Sequence, residues 1–376
     1  MNRPLLLVTL GALGVSCAAR QPAPNPVPTG APLRALARGR IHLGTAVAVE
    51  PLRDDPAYRA RLAEQYDILV AENAMKFDQV EPSRGQFEFR QADALVDFAV
   101  AHEMVVRGHC LLWHNQSRWL FRPTRRAGGF DAQYELVAGV DRADLPAILA
   151  HHVTTVVGHF KGRVAYWDVV NEAIADELPR GLPVERALRG DGWSRAYPGK
   201  TPLQWIEDAF RLAHEADPDA KLFYNEYGSE GLHGWGFKSD YTYALVKRLL
   251  ADGVPIHGVG LQMHLDATGY PLDDHLAEEL ARFTALGLEV HVTEADIRLH
   301  LPPSAAALER QRDLYKQLLQ AALANPRVTA FLTWGLDDGH SWVPQFYPGQ
   351  GAALPFDASY GAKPAYFGLR EALEGR

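Results

Sequence analysis

"RVAYWDVVNEA", residues 163–173, makes two opposing demands within one strand. Trp167, Val169 and Val170 suit a buried strand, yet the run leads straight into Asn171 and Glu172, groups that are costly to bury without partners. A carboxylate at the end of a core strand makes sense if many strands end at one shared mouth. The number of such strands therefore decides the fold.

From Arg40 onward the chain offers eight. Short apolar runs begin at Ile41 ("IHLGTAVA"), Asp67 ("DILVAEN"), Met104 ("MVVRGHCLLWH"), Arg163, Ala220 ("AKLFYNEYG"), Gly258 ("GVGLQMHL"), Glu289 ("EVHVTEADI") and Val328 ("VTAFLTWGLDDG"). Amphipathic stretches separate them: Phe237 to Asp252 places Tyr241, Ala244, Leu245 and Leu249 on one face, and Ala305 to Ala324 does so with Leu308, Tyr315, Leu318 and Ala322. Gly162, Pro218 and Gly253 stand where such helices stop. Strand-then-helix units in series, with no internal repeat or break in composition, predict an α/β fold: a single (β/α)₈ TIM barrel over residues 35–376, in preference to two domains or a doubly wound sheet. The longest intervals between strand starts, Met104 to Arg163 and Arg163 to Ala220, place enlarged loops after strands three and four. Barrel enzymes keep their sites on that face.

A chain of 376 residues, 47% of them hydrophobic, can fill such a core. Its net charge of −8, with no long run of Lys and Arg, argues against a nucleic-acid partner. At the N-terminus one Arg precedes an apolar stretch from Leu5 to Val15 and small residues around Cys17, the form of an export signal over residues 1–19. Two routes stay open: Cys17 as the lipid-anchored first residue of a bacterial lipoprotein, or cleavage after Ala19 and free secretion. Residues 20–34, rich in Pro, are expected to form an extended linker. With Cys17 lipidated or removed, Cys110 lacks a partner, so no intrachain disulfide is expected.

Polar residues recur at the same end of the predicted strands. Glu72 and Asn73 end strand two, His109, Trp113 and His114 strand three, Glu226 and Tyr227 strand five, and Gln262 and His264 strand six; Glu294 and Asp296 end strand seven, while Trp334 and Trp342 lie at and beyond strand eight. One such residue alone is most often solvated or packed at a rim. Repeated around a parallel barrel, they converge on one mouth. The sequence holds no HExxH pair for a metal, no G-x-S-x-G elbow and no glycine-rich phosphate loop, so neither a metal nor a cofactor is expected. What remains is a set of carboxylates, amides and tryptophans suited to a neutral polysaccharide. Glu172 and Glu294, each closing an apolar strand, are the pair chosen for cleaving a glycosidic bond.

"WDVVNEA", "EVHVTEADI", "ENAMKFD", "GHCLLWHNQ", "GLQMHL" and "TWGLDDGHSW", in this order from about residue 40 to the final "KPAYFGL", resemble the endo-1,4-β-xylanases of glycoside hydrolase family 10. The resemblance implies xylan or xylo-oligosaccharides as substrate and retaining double displacement, with Glu172 as acid/base and Glu294 as nucleophile. Asn171 matches the residue that bonds the sugar 2-hydroxyl, and His264 with Asp296 matches a network orienting Glu294. Glu72, Asn73, Lys76, His109, Trp113, Gln116, Gln262, Trp334 and Trp342 match glycone-side positions, and Tyr227 one on the leaving-group side. Glu172 is expected to be kept protonated by apolar surroundings and by the charge of Glu294. A monomer is expected.

The chain departs from the family pattern at Ala295, where Leu is usual, at Glu226 and Gly228, where Asp and Asn are common, and in "GLDD" for "GVTD". These bear on subsite shape and rate. Two other readings stand beside the first: a barrel acting on cellulose or mixed-linkage glucan, and a glycan-binding barrel without turnover.

Overall fold

The computed structural model describes residues 26, 28–123, 134–176, 178–190, 192–231, 237–270 and 275–375. The export signal with Cys17, part of the linker, and residues 124–133 of the first enlarged loop lie outside them. Eight parallel strands are present: β1 (His42–Val47), β2 (Ile68–Ala71), β3 (Val105–Trp113), β4 (Tyr166–Asn171), β5 (Lys221–Glu226), β6 (Gly258–Leu261), β7 (Glu289–His300) and β8 (Val328–Thr333). Each pairs with the next in sequence, and β8 returns to β1 with Thr333 opposite Thr45, which closes the barrel. This is the fold read from the chain.

Two layers of side chains account for it. Ala46, Ile68, Val70, Tyr166, Phe223, Ala330 and Leu332 fill the barrel interior, while Leu69, Trp167, Val169, Leu222 and Val290 belong to the larger core between sheet and helices. Trp167 is fully buried and lies against β3 at Gly108, where a Cβ would come within 2.3 Å of its ring. Only a glycine permits that approach.

Strict alternation fails at three strand ends, and the site depends on the failure. Along β4, Tyr166 and Asp168 point inward, but the register to β5 shifts between Asp168 and Val170, so Val169 and Val170 both join the outer core and Asn171 turns inward. The register between β3 and β4 shifts between His109 and Leu112, and β7 shifts against β8 between Val292 and Ala295. Such bulges re-aim the side chains that follow. Without them, a two-residue period would send Asn171 outward.

Below the mouth, a polar column crosses the barrel. Arg107 grips Asp168 with two N–H groups, its Nε donating to Oδ2 at 3.1 Å, and Nη1 lies 2.6 Å from Nδ1 of His291. Burial, with Arg107 alongside, pushes His291 well below its ordinary range, so its neutral Nδ1 accepts from the guanidinium. Asp168 also meets Nδ1 of His109 at 3.0 Å, fixing that ring at the floor of the mouth.

The enlarged loops are where the strand spacing places them. Residues 114–144 follow β3 and include a hairpin of Phe121–Pro123 with Tyr134–Leu136; residues 172–203 follow β4 and include the short helix Gly192–Ala196. Two strand ends differ from the sequence reading. β6 stops at Leu261, and His264–Asp266 pairs separately with β7 after Met263 takes φ 65°. β7 continues past Glu294 and Asp296 to His300, because its extension pairs with His264–Asp266 and Gln350–Gly351.

Candidate active site

A cleft of about 480 Å³ opens at the C-terminal ends of the strands. Glu72, Asn73 and Lys76 line it from beyond β2, His109, Trp113 and Gln116 from β3 and its loop, and Asn171 and Glu172 from β4. Tyr227, Gln262, His264, Glu294, Trp334 and Trp342 complete the expected set in the same cleft. Asp296 alone stands behind it, 1% exposed, where Trp342 Nε1 donates to its Oδ2 at 2.7 Å.

Glu294 is held on both oxygens. Asn225 Nδ2 donates to Oε1 at 2.7 Å, and His264 Nε2 lies 3.1 Å from Oε2, while His264 Nδ1 reaches Asp296 at 2.9 Å. Burial works against a charged His264, but Asp296 and then Glu294 outweigh it and raise the imidazole to about 10. At neutral pH it is therefore an imidazolium donating to both carboxylates. Asn225 escapes the sequence reading, which used "YNEYG" for Glu226, Tyr227 and Gly228; an amide two positions beyond the inward Phe223 was the available signal. It has little freedom, since a Cβ on Gly260 would fall 2.2 Å from its Oδ1, and Thr293 Oγ1 donates to that oxygen at 2.7 Å.

Glu172 sits one residue beyond β4 at φ 57°, in the left-handed region that non-glycine residues seldom adopt. Its Oε1 accepts from Asn171 Nδ2 and Gln262 Nε2, both at 3.0 Å, and its Oε2 accepts from Trp113 Nε1 at 2.7 Å. These donors correct the expectation of an apolar pocket. Burial does push the carboxyl up, but His114, Gln262, Arg189 and Trp113 outweigh it and hold Glu172 below the ordinary range. His114, 3.7 Å away, is itself driven down to about 3 by burial, so near pH 7 it is neutral and the N–H donors with Arg189 provide the holding force.

The two carboxylates are joined by amides. Asn225, bonded to Glu294, also donates to Asn171 Oδ1 at 2.8 Å, and Asn171 donates on to Glu172. Around them, Lys76 Nζ lies 4.8 Å from the centre of the Trp113 ring and 3.0 Å from Asn73 Oδ1. The Tyr227 hydroxyl is engaged by Asp176 at 2.6 Å and by Arg189 at 2.8 Å, and Lys238 covers its ring 3.2 Å from the centre. Its part in the cleft is thus to present a fixed ring, with no hydroxyl to spare for a ligand. Glu230, Phe346 and Tyr347 also line the cleft without having been expected; burial raises Glu230 to about 7.

A profile of glycosyl hydrolase family 10 matches residues 33–372, and the cleft supplies the carboxylates such an enzyme needs. The chain belongs to glycosyl hydrolase family 10. It is a glycoside hydrolase, similar over 348 residues to endo-1,4-beta-xylanase B of Thermotoga neapolitana, with 38% identity covering 91% of this chain and 92% of the relative. Exoglucanase XynX of Acetivibrio thermocellus is 37% identical over 88% of this chain, which spans 28% of that longer protein. The solved xylanase 10B from Thermotoga petrophila RKU-1, in complex with xylobiose, superposes with a TM-score of 0.80 at 37% identity, covering 92% of this chain and 98% of that one.

His264 gives the family 10 cleft a pH signature in stability. His264 carries its proton far more tightly in the fold, about 10, than its ordinary value of 6.5. Protonation therefore stabilises the fold fully below about 6.5, and that contribution is lost as pH rises toward 10. Against a His264→Gln variant, the wild-type Tm is expected to fall more steeply between pH 7 and 10. Parallel Tm curves would mean that His264 is not the imidazolium described.

Proposed function

We propose that this chain is an endo-1,4-β-xylanase that cleaves internal bonds of xylan with retention. The observation that carries the reading is the amide bridge from Glu294 through Asn225 and Asn171 to Glu172, which couples two carboxylates in contrasting settings. Glu294, oriented by His264 and Asn225, attacks the anomeric carbon while Glu172 passes a proton to the departing glycosidic oxygen. The C–O bond to the leaving sugar breaks as a bond to Glu294 forms. Water then attacks the covalent intermediate with Glu172 as base, and Glu294 leaves. Once the negative charge of Glu294 is taken up in the ester, Glu172 loses a reason to hold its proton. One residue thereby serves in both steps.

Glu72, Asn73, Lys76, His109, Gln116 and Gln262 supply hydroxyl partners on the glycone side, with Trp113, Trp334 and Trp342 as walls and Tyr227 on the leaving-group side. The similarity to a xylanase crystallised with xylobiose supports a xylo-oligosaccharide as the molecule bound. We further infer export of a monomeric enzyme, secreted or lipid-anchored through Cys17, which the mass of the mature N-terminus and the size of the native protein would test.

The decisive assay is the product profile from xylan, read with the anomer of the first product by proton NMR. A spread of oligomers carrying β-anomers is expected; α-anomers would overturn retention, and products released only from chain ends would overturn endo action. The relative named as an exoglucanase gives a second reading, a β-1,4-glucanase, some weight. Equal or greater sugar release from soluble cellulose would favour it.

A further inference from the structure

The turn that carries Glu172 is not held by the barrel ladder alone. Glu172 N–H still donates to Asn225 O at 2.9 Å, but beyond it the chain has left the sheet and is held by side chains and by the segment of Arg189, whose backbone N–H donates to Ala173 O at 2.7 Å. Ala173 N–H donates to the Tyr224 hydroxyl at 3.0 Å, and Ile174 N–H to Glu226 Oε2 at 3.2 Å. The carbonyls of Glu172 and Ile174 both accept from the Arg189 guanidinium at 3.2 Å, from Nε and Nη2 respectively. Tyr224 in turn donates to Glu226 at 2.5 Å, tying the cradle together.

Arg189 is 2% exposed and far from free to move. Its Nη1 meets Asp176 Oδ2 at 3.2 Å, and Lys238 bonds the same Asp176 at 2.8 Å and Glu226 at 3.1 Å. The planar guanidinium donates from three nitrogens in a fixed fork to two carbonyls, a carboxylate and the Tyr227 hydroxyl, a spread of directions that the single nitrogen of an ammonium does not reproduce. The arrangement fixes a backbone conformation, φ 57° at Glu172, that would otherwise relax.

We propose that Arg189, seated with Tyr224 and Glu226, is the positioning residue for Glu172: it clamps the carbonyls on either side of the turn and so aims the carboxyl at the glycosidic oxygen. This rests on Glu172 being the acid/base. The enlarged loop after β4 thus has a task beyond shaping access, because it delivers Arg189 beneath the turn. Glu226 contributes at a position where the family commonly has the shorter Asp.

The test separates aim from general stability by varying the leaving group. Bond cleavage in xylotetraose needs a proton from Glu172, whereas an aryl xylobioside bearing 2,4-dinitrophenolate leaves without one. Arg189→Lys is expected to lower kcat/KM on xylotetraose by about 30- to 100-fold, the scale of an ångström-level misplacement, and on the dinitrophenyl substrate by less than about threefold. Equal losses on both substrates would overturn the proposal. Should Arg189→Lys fail to fold by circular dichroism and Tm, Tyr224→Phe, which strips the acceptor from Ala173, is held to the same split between substrates. Glu172→Ala is the control for the underlying assignment: if it shows no leaving-group dependence, the acid/base reading fails, whereas dependence in Glu172→Ala without dependence in the cradle variants refutes only the role of Arg189.

Discussion

Glu294→Ala is expected to lower turnover of xylan by at least about 10⁴-fold, the order of loss when a nucleophile is removed, while xylan binding stays within a few-fold. The split follows from the cleft. Glu294 is one of many groups lining it, and Trp113, Trp334, Trp342, Lys76 and Asn73 remain to bind sugar. What disappears is the atom that bonds the anomeric carbon. His264 and Asn225 are then left facing a void, and neither has a carboxylate with which to replace it. Initial rates on xylan and affinity electrophoresis in xylan gels read the two quantities. Retained hydrolysis would place the nucleophile elsewhere, and lost binding in a folded variant would mean that Glu294 serves mainly to hold substrate.

Glu172→Ala carries the second large effect, and here the expected result depends on the substrate. On xylotetraose kcat/KM should fall by about 10²- to 10⁴-fold, the usual span for a general acid. On a dinitrophenyl xylobioside the first step should be almost untouched, and the intermediate should accumulate because no base activates water. Azide, which needs no base, should attack the intermediate, displace Glu294 and yield a glycosyl azide. The pH profile follows from the donors around the carboxyl. In the free enzyme, which kcat/KM reports, Trp113, Asn171 and Gln262 favour the charged form, so the basic limb of kcat/KM should lie at low pH. Sugar in the cleft expels water and adds to the burial that favours the neutral acid, so the basic limb of kcat should lie higher. Coincident limbs would show that substrate does not restore the proton to Glu172.

That correction marks one boundary of sequence reading. Apart from Asn171, the neighbours of Glu172 along the chain, Val169, Val170 and Ala173, are apolar, and an apolar pocket was the natural expectation. Its neighbours in space are Trp113, Gln262 and Arg189, drawn from three other parts of the chain. Asn225 and Arg189 were missed for the same reason. Neither stands out in a linear motif, and each matters through a contact made only when the barrel closes.

Chain order alone establishes a good deal: eight apolar runs alternating with amphipathic stretches, the polar residues that end them, the long loops after β3 and β4, and Glu172 with Glu294 as the chosen carboxylates. These are local properties, carried by periodicity and composition, and a parallel barrel turns them into a common mouth without further instruction. Tertiary structure decides the aim of the side chains. The register shifts in β4 and β7 turn Asn171 and Glu294 against strict alternation, placing them in the cleft with Trp113. Such shifts arise from pairing between strands far apart in sequence, where the gain of closing the barrel and packing Trp167 against Gly108 outweighs local regularity. The charge state of Glu172 follows from that same closure, because two of its donors, Trp113 and Gln262, arrive only with it.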